Sequence, residues 1–402
     1  MSPRLIFYKR SRMKRCPFKA RKKSQISRFF TICGFDFFID EQPCRRKFPY
    51  LIMRKLLLIL LTSVLTLPAI AQVDAFAGFY KGKITLANGA ELKKGYPISM
   101  YPEIYAEVYR GPEAKYRVKI LTGILSRAEA SAMADNLSEK DGKIPFDIPG
   151  FFSLKGNVTP EAVVATGRYA NQDIKIDLKR LNYKSPTLGQ KAPAGAVVLY
   201  DGGDPSENWE LISNRSMPVN WIVKDGAMTV KTDAKKPDGK RMSTSIESKK
   251  AFGKSKLHIE FNIPPMYEQL SQARANSGVF FGPYEIQVLD SFGAEGTWDN
   301  CGSLYRQTPS QFNASLEPGA WQTYDIIYTP AKYEGDKCVA DPTFTVYHNG
   351  RRVQYETPVP YSTSMPLKKA HTFKHPKEPV KLQLQDHTNP VSFRNIWIQP
   401  LD

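Results

Sequence analysis

Between Gln72 and about Asn182, apolar and polar residues alternate in short runs such as YAEVYRG, YRVKILTG and IKIDLKRL, with Gly, Pro and Asn between them. Alternation of period two predicts half-buried β-strands joined by turns. One stretch departs from it: SRAEASAMADNL, Ser126 to Leu137, reads as a helix, with Ser126 as N-cap and Glu129 three residues on. From Tyr183 to Gly195 the pattern breaks in YKSPTLGQKAPAG, whose Pro and Gly residues mark a linker. Beyond it the strand signal strengthens in GAVVLYDG, WIVKDGAMTVK, KLHIEFNI, SGVFFGPYEIQVLD, WQTYDIIYTP, FTVYHNGRRV, VKLQLQD and VSFRNIWIQP. Within these, Asn349-Gly350 between alternating runs is a hairpin signal. The pattern predicts an all-β chain, with a two-sheet sandwich or jelly roll over 196–402 behind a smaller β-rich domain over 72–182.

Charge first suggests a nucleic-acid binder, since the formal net charge is +18. Its location argues otherwise. Residues 1–52 hold fourteen Lys or Arg against Asp36, Asp40 and Glu41, which is +11 of the total. Met53 then opens MRKLLLILLTSVLTLPAIAQ, with basic Arg54 and Lys55, an apolar run from Leu56 to Leu67, and Ala69-Ile70-Ala71 before Gln72. This is the form of a secretory signal peptide over 53–71, and its apolar run is short for a membrane span. Met53 is therefore expected to be the true start, with 1–52 a mis-assigned upstream segment. The exported chain would carry only about +5. The expectation is a periplasmic or extracellular protein with no nucleic-acid partner and no integral membrane segment after processing. Of the cysteines, Cys301 and Cys338 lie in this exported part, and an oxidising compartment leaves their pairing open.

The chemistry centres on YEIQVLD, Tyr284 to Asp290. Alternation places Tyr284, Ile286, Val288 and Asp290 on one face, and Glu285, Gln287 and Leu289 on the other. Asn276 and Ser277 lie just upstream, and Trp298, Asp299, Tyr305 and Arg306 just downstream. Rings stack on sugar faces while amides and carboxylates hold hydroxyls, so this set suits a carbohydrate site as well as a solvated face. A glycosidase using two carboxylates on one strand face would need an acid where Leu289 stands, unless a β-bulge turns Asp290 onto the Glu285 face.

The histidines divide by context. His258 in KLHIEFNI is expected to face solvent, because Leu257, Ile259 and Phe261 take the inner face, and His348 falls beside the Asn349-Gly350 turn. His371 and His375 have metal-ligand spacing only on a helix, and Pro376 argues against one. His387 ends KLQLQDH on the face of Gln383 and Gln385, a suitable place for a proton carrier.

Taken together, VVLYDG, WIVKDGAMTV, NSGVFF, YEIQVLD, CGSLY, GAWQTYDI, HNG, LQLQDH and FRNIWIQPL, in this order from about Ala196 to Leu401, resemble the 3-keto-disaccharide hydrolase domain, also known as domain of unknown function 1080. The resemblance implies a concanavalin A-like jelly roll, export, and action on glycosides whose ring carries a 3-keto group. Carried over residue by residue, it points to Glu285 and His387 as catalytic, and to Asn276, Gln287, Asp290, Tyr305, Arg394 and Asn395 as substrate-binding. Arg394 also fits a structural pairing with a carboxylate such as Asp386.

The implied chemistry accounts for the missing second acid. A ketone at C3 acidifies the C2 proton, so one base can drive loss of the C1 substituent, and water then adds back. Glu285 or His387 would be the base, with the other group, or a divalent metal as cofactor, polarising the ketone. The rival is a carbohydrate-binding module on the same fold, without catalysis.

Overall fold

The computed structural model describes residues 30–32, 35–37, 72–92, 103–126, 130–169, 171–364, 370 and 372–402. The chain divides into residues 1–69 and residues 70–402. In the first unit, β1 (Phe30–Ile32) and β2 (Phe35–Phe37) pair antiparallel. The signal-peptide segment lies outside the described residues.

The second unit begins with β3 (Gly78–Leu86), β4 (Ile104–Arg110), β5 (Lys115–Leu121), β6 (Ala130–Ser138), β7 (Ile144–Ile148), β8 (Phe152–Val158), β9 (Ala162–Tyr169) and β10 (Gln172–Leu181). They form one antiparallel sheet in the order β6-β5-β4-β3-β10-β9-β8-β7. Alternate residues supply its core, as Ile174, Ile176 and Leu178 do in β10. The helix expected over 126–137 is absent among the described residues of that stretch, where β6 runs instead. Pairing with β5 overrides the helical preference, and Ala132, Ala134 and Leu137 pack on the sheet's core.

The remaining strands are β11 (Val197–Tyr200), β12 (Trp209–Leu211), β13 (Ile222–Lys224), β14 (Ala227–Thr229), β15 (Ile246–Phe252), β16 (Ser255–Asn262), β17 (Ser277–Phe281), β18 (Tyr284–Val288), β19 (Trp321–Thr329), β20 (Lys332–Glu334), β21 (Lys337–Ala340), β22 (Thr343–His348), β23 (Arg351–Pro358), β24 (Val380–Leu384) and β25 (Ser392–Pro400). A larger sheet runs β13-β14-β25-β16-β19-β22-β23, with β11 also on β25, and a second runs β12-β15-β24-β17-β18. The two enclose one core. Phe261, Tyr324, Phe344 and Phe393 come from the larger sheet, and Phe281, Tyr284, Ile286 and Leu384 from the smaller. This is the all-β jelly-roll sandwich that the alternation predicts. The β22–β23 turn is Asn349-Gly350, with φ of 50° and 76°, both in the region a two-residue hairpin of this kind requires.

One local expectation fails. His258 is fully buried, because residues 185–190 cross the outer face of β16 and cover it. Ser185 Oγ bonds Thr323 Oγ1 at 2.6 Å and the Gly189 N–H donates to Glu260 Oε1 at 2.5 Å. His258 Nδ1 meets Asp325 Oδ1 at 2.9 Å, and its ring stacks on Trp397. Burial pulls the imidazole pKa down, but Asp325 and Glu260 outweigh it and hold it above the usual value. His348 lies at the buried end of β22, bonded to Gln322, and burial alone lowers its pKa to about 3. Cys301 and Cys338 are free thiols: Cys301 is buried against the Tyr324 hydroxyl, while Cys338 lies on β21.

Candidate active site

β18 is the edge strand of the smaller sheet, and Tyr284, Ile286 and Val288 turn into the core. Glu285 and Gln287 therefore take the outer face. The ladders set Glu285 opposite Phe280 and Phe280 opposite Gln383, and set Gln287 opposite Gly278. Gly278 leaves room that the Glu285 carboxyl occupies: a Cβ there would collide with Glu285 Oε1 and come within 2.7 Å of the Phe280 ring.

Glu285 is 5% exposed, and among the described residues its carboxylate meets neither a hydrogen-bond donor nor a cation. Burial raises its pKa to about 8. Its backbone is fixed on both sides, the N–H donating to Thr363 Oγ1 at 3.0 Å and the C=O accepting from the Tyr305 N–H at 3.0 Å. A carboxyl that is buried, unpaired and held on rigid backbone is placed to take or give a proton near neutral pH.

An amide network adjoins it. Gln287 Nε2 donates to Gln272 Oε1 at 3.0 Å and to the Asp299 C=O at 3.3 Å. Asn276 Nδ2 donates to the same Gln272 Oε1 at 2.8 Å, and Gln272 Nε2 reaches Asp299 Oδ2 at 3.3 Å. Asp299 also accepts from the Thr297 hydroxyl. The Tyr305 and Trp298 rings lie 6.0 Å apart, and Trp298 is 48% exposed, as a platform for a sugar ring would be. Gln385, whose N–H donates to Gly278 O, carries a buried Oε1 with no partner among the described residues. His387 follows two residues on, exposed, in the turn where Asn389 Oδ1 accepts the Asn276 N–H at 2.7 Å.

Of the residues singled out from sequence, Glu285, Gln287, Asn276 and Tyr305 meet on this face, and His387 stands at its end. The other three are placed elsewhere. Asp290 is buried in an ion pair with Arg274 at 2.5 Å, and Arg274 extends to the Tyr109 hydroxyl at 2.8 Å and the Arg110 C=O at 3.0 Å. This joins the end of β18 to the front sheet rather than offering a second acid to Glu285. Arg394 and Asn395 lie on the larger sheet's outer face, across the core. Arg394 pairs with Glu260 at 2.7 Å and lies 3.9 Å from the Trp321 ring, and Asn395 Nδ2 donates to Glu260 Oε1 at 2.8 Å. Asp386, the partner considered for Arg394, is instead taken by Arg241 and Thr244. Gln272 and Gln385 were not singled out: Gln272 sits outside any strand pattern, and only the ladder brings Gln385 beside Gly278.

A jelly-roll face with a buried unpaired carboxyl, an amide network and exposed aromatic rings is that of a glycoside hydrolase-type enzyme. The family model of the 3-keto-alpha-glucoside-1,2-lyase-like domain matches residues 195–399, and the chain belongs to this family. A crystal structure from Parabacteroides distasonis ATCC 8503, described as a candidate glycosyl hydrolase, is 33% identical, with 52% of this chain and 86% of that one covered and a TM-score of 0.44. A second from the same organism, similarly described, is 20% identical over 52% of this chain and 95% of that one, with a TM-score of 0.36. No curated protein matches the chain.

Proposed function

We propose that the chain is an exported enzyme that cleaves 3-keto-glycosides by β-elimination followed by hydration. The observation that carries this reading is Glu285, buried and unpaired with its pKa raised to about 8. Glu285 takes the C2 proton, and the electron pair moves into the enolate of the C3 ketone. The enolate collapses to a C1–C2 double bond as the C1–O bond breaks, and the leaving oxygen is protonated. Water then adds its oxygen to C1 and a proton to C2, so the sum is hydrolysis.

His387, exposed at the end of the same face, serves as the group that polarises the ketone or protonates the leaving oxygen. Gln287, Asn276 and Tyr305 orient the ring hydroxyls, and Trp298 stacks on the sugar. Family membership supports the substrate class, and the basic-apolar-small pattern over 53–71 supports export. Asp299 is the carboxylate nearest in role to a second acid, but Gln272 and Thr297 already engage it.

The purified chain should be incubated with matched pairs of glycosides, plain and 3-keto, with products followed by mass spectrometry. Release of keto sugar from the oxidised member alone supports the reading. Cleavage of both members at equal rates, or binding without product, refutes it.

A further inference from the structure

Tyr284, the neighbour of Glu285, points the opposite way, into the sandwich, and its hydroxyl meets His375 Nδ1 at 2.7 Å. The other ring nitrogen, Nε2, faces Asp341 Oδ1 at 3.1 Å. Cys338, on the β20–β21 hairpin, completes the group: its Sγ, a carboxylate oxygen of Asp341 and a ring nitrogen of His375 all lie within 4.8 Å of one another. We propose that Cys338, Asp341 and His375 bind a zinc-class divalent ion that ties the β20–β21 hairpin and the approach to β24 onto Tyr284.

The donor set selects the ion. A thiolate, an imidazole and a carboxylate suit zinc, whereas calcium and magnesium take oxygen ligands. A thiolate and one carboxylate also neutralise a double positive charge, which a half-buried site requires. Tetrahedral zinc would hold its donors about 3.5 Å apart, so the three groups, now within 4.8 Å of one another, close on the ion by a small inward shift of their side chains. The fourth position then opens to solvent.

His375 is oriented as metal-bound histidines are. With the ion bound, Nε2 would be the ligand and Nδ1–H would donate to the Tyr284 oxygen; without it the other tautomer meets the same contacts, the Tyr284 hydroxyl donating to Nδ1 and Nε2–H to Asp341. The backbone behind the ring is also held, since the Tyr333 hydroxyl donates to the His375 C=O at 2.8 Å. The competing cation is occupied: Lys377 bonds Asp336 and the Gly335 C=O on the hairpin turn. The site is separate from the sugar chemistry, because Tyr284 and Glu285 lie on opposite faces of β18.

Cobalt(II) titration of the reduced, full-length chain tests this. The wild type should bind one ion with a thiolate-to-cobalt charge-transfer band and the strong ligand-field bands of four-coordination. Cys338→Ser should lose the charge-transfer band, and Tyr284→Phe should bind about 10- to 100-fold more weakly. Zinc should displace the cobalt and raise the melting temperature of the wild type but not of Cys338→Ser. No saturable cobalt binding, a thiolate band that survives in Cys338→Ser, or an equal rise in both melting temperatures would overturn the proposal. Cys338→Ser changes one atom at a half-buried position, so the test does not depend on a variant that disturbs the core.

Discussion

The Glu285 carboxyl rests in the space that Gly278 leaves open on the neighbouring strand, where a Cβ would collide with its Oε1. Gly278→Ala should therefore displace the carboxyl while the ladder between β17 and β18 survives. Overpacking of this kind costs about 1–3 kcal/mol. The expected outcome is a melting temperature lowered by a few degrees and a much larger loss in kcat/KM, measured on a 3-keto-glucoside. Unchanged kcat/KM would mean that the carboxyl's position does not matter.

Glu285→Gln keeps the shape and removes the base. Loss of a positioned general base lowers the rate by about 10²–10⁴-fold, and circular dichroism should show an unaltered fold. His387→Ala, at an exposed position, should also retain the fold and lower kcat.

The pH dependence has a definite sign. Glu285 must be ionised to accept the C2 proton, so kcat/KM should rise with pH and level off above about 8. Stability runs the other way. The folded pKa lies above the unfolded value of 4.5, so the folded state holds the extra proton between the two. The stabilising contribution is complete below about 4.5 and is lost as pH rises through about 8. Glu285→Gln should thus melt at a higher temperature than the wild type at pH 9, by an amount that reaches at most a few kcal/mol. Equal melting curves at that pH would show that burial does not perturb this group.

Arg394 pairs with Glu260 across the core from Glu285, and its guanidinium covers the Trp321 ring. Arg394 is about a third exposed and buried Glu260 keeps the Gly189 N–H and Asn395 as donors, so removing Arg394 should cost about 1–3 kcal/mol. Arg394→Ala should lower the melting temperature by several degrees and leave KM for the sugar unchanged. A large rise in KM without destabilisation would return Arg394 to the binding site.

Asp290 and Arg274 are both buried, and Arg274 spans to the Tyr109 hydroxyl of the front sheet. Asp290→Ala strands the guanidinium and should cost about 3–5 kcal/mol. Limited proteolysis should then cut between the front sheet and the sandwich sooner than in the wild type. Undiminished protection would show that the pair does not couple the two.

Alternation alone made the sandwich legible, because the two-sheet core demands inward residues at every second position, as in β16 and β24. It misread Ser126 to Leu137, where the alanines that favour a helix also fit the packed face of β6. It misread His258 because a strand's outer face reads as wet whether or not another segment covers it, and nothing local shows that Ser185 to Gln190 does. At the site, Glu285 and Gln287 followed from parity on one strand. Gln272 and Gln385 did not, since they reach the site through a loop and a neighbouring ladder. Arg394 and Asn395 shared a motif with the site but not a face, and order along the chain does not distinguish the two.

In the proposed reaction Glu285 removes the C2 proton of a 3-keto-glycoside. Turnover in D2O, with the released keto sugar compared against a control without enzyme, tests it most directly. Deuterium is expected at C2 of the product at the rate of cleavage, with label and product falling together by about 10²–10⁴-fold in Glu285→Gln. A product that keeps its original hydrogen at C2, as direct displacement at C1 would give, contradicts it.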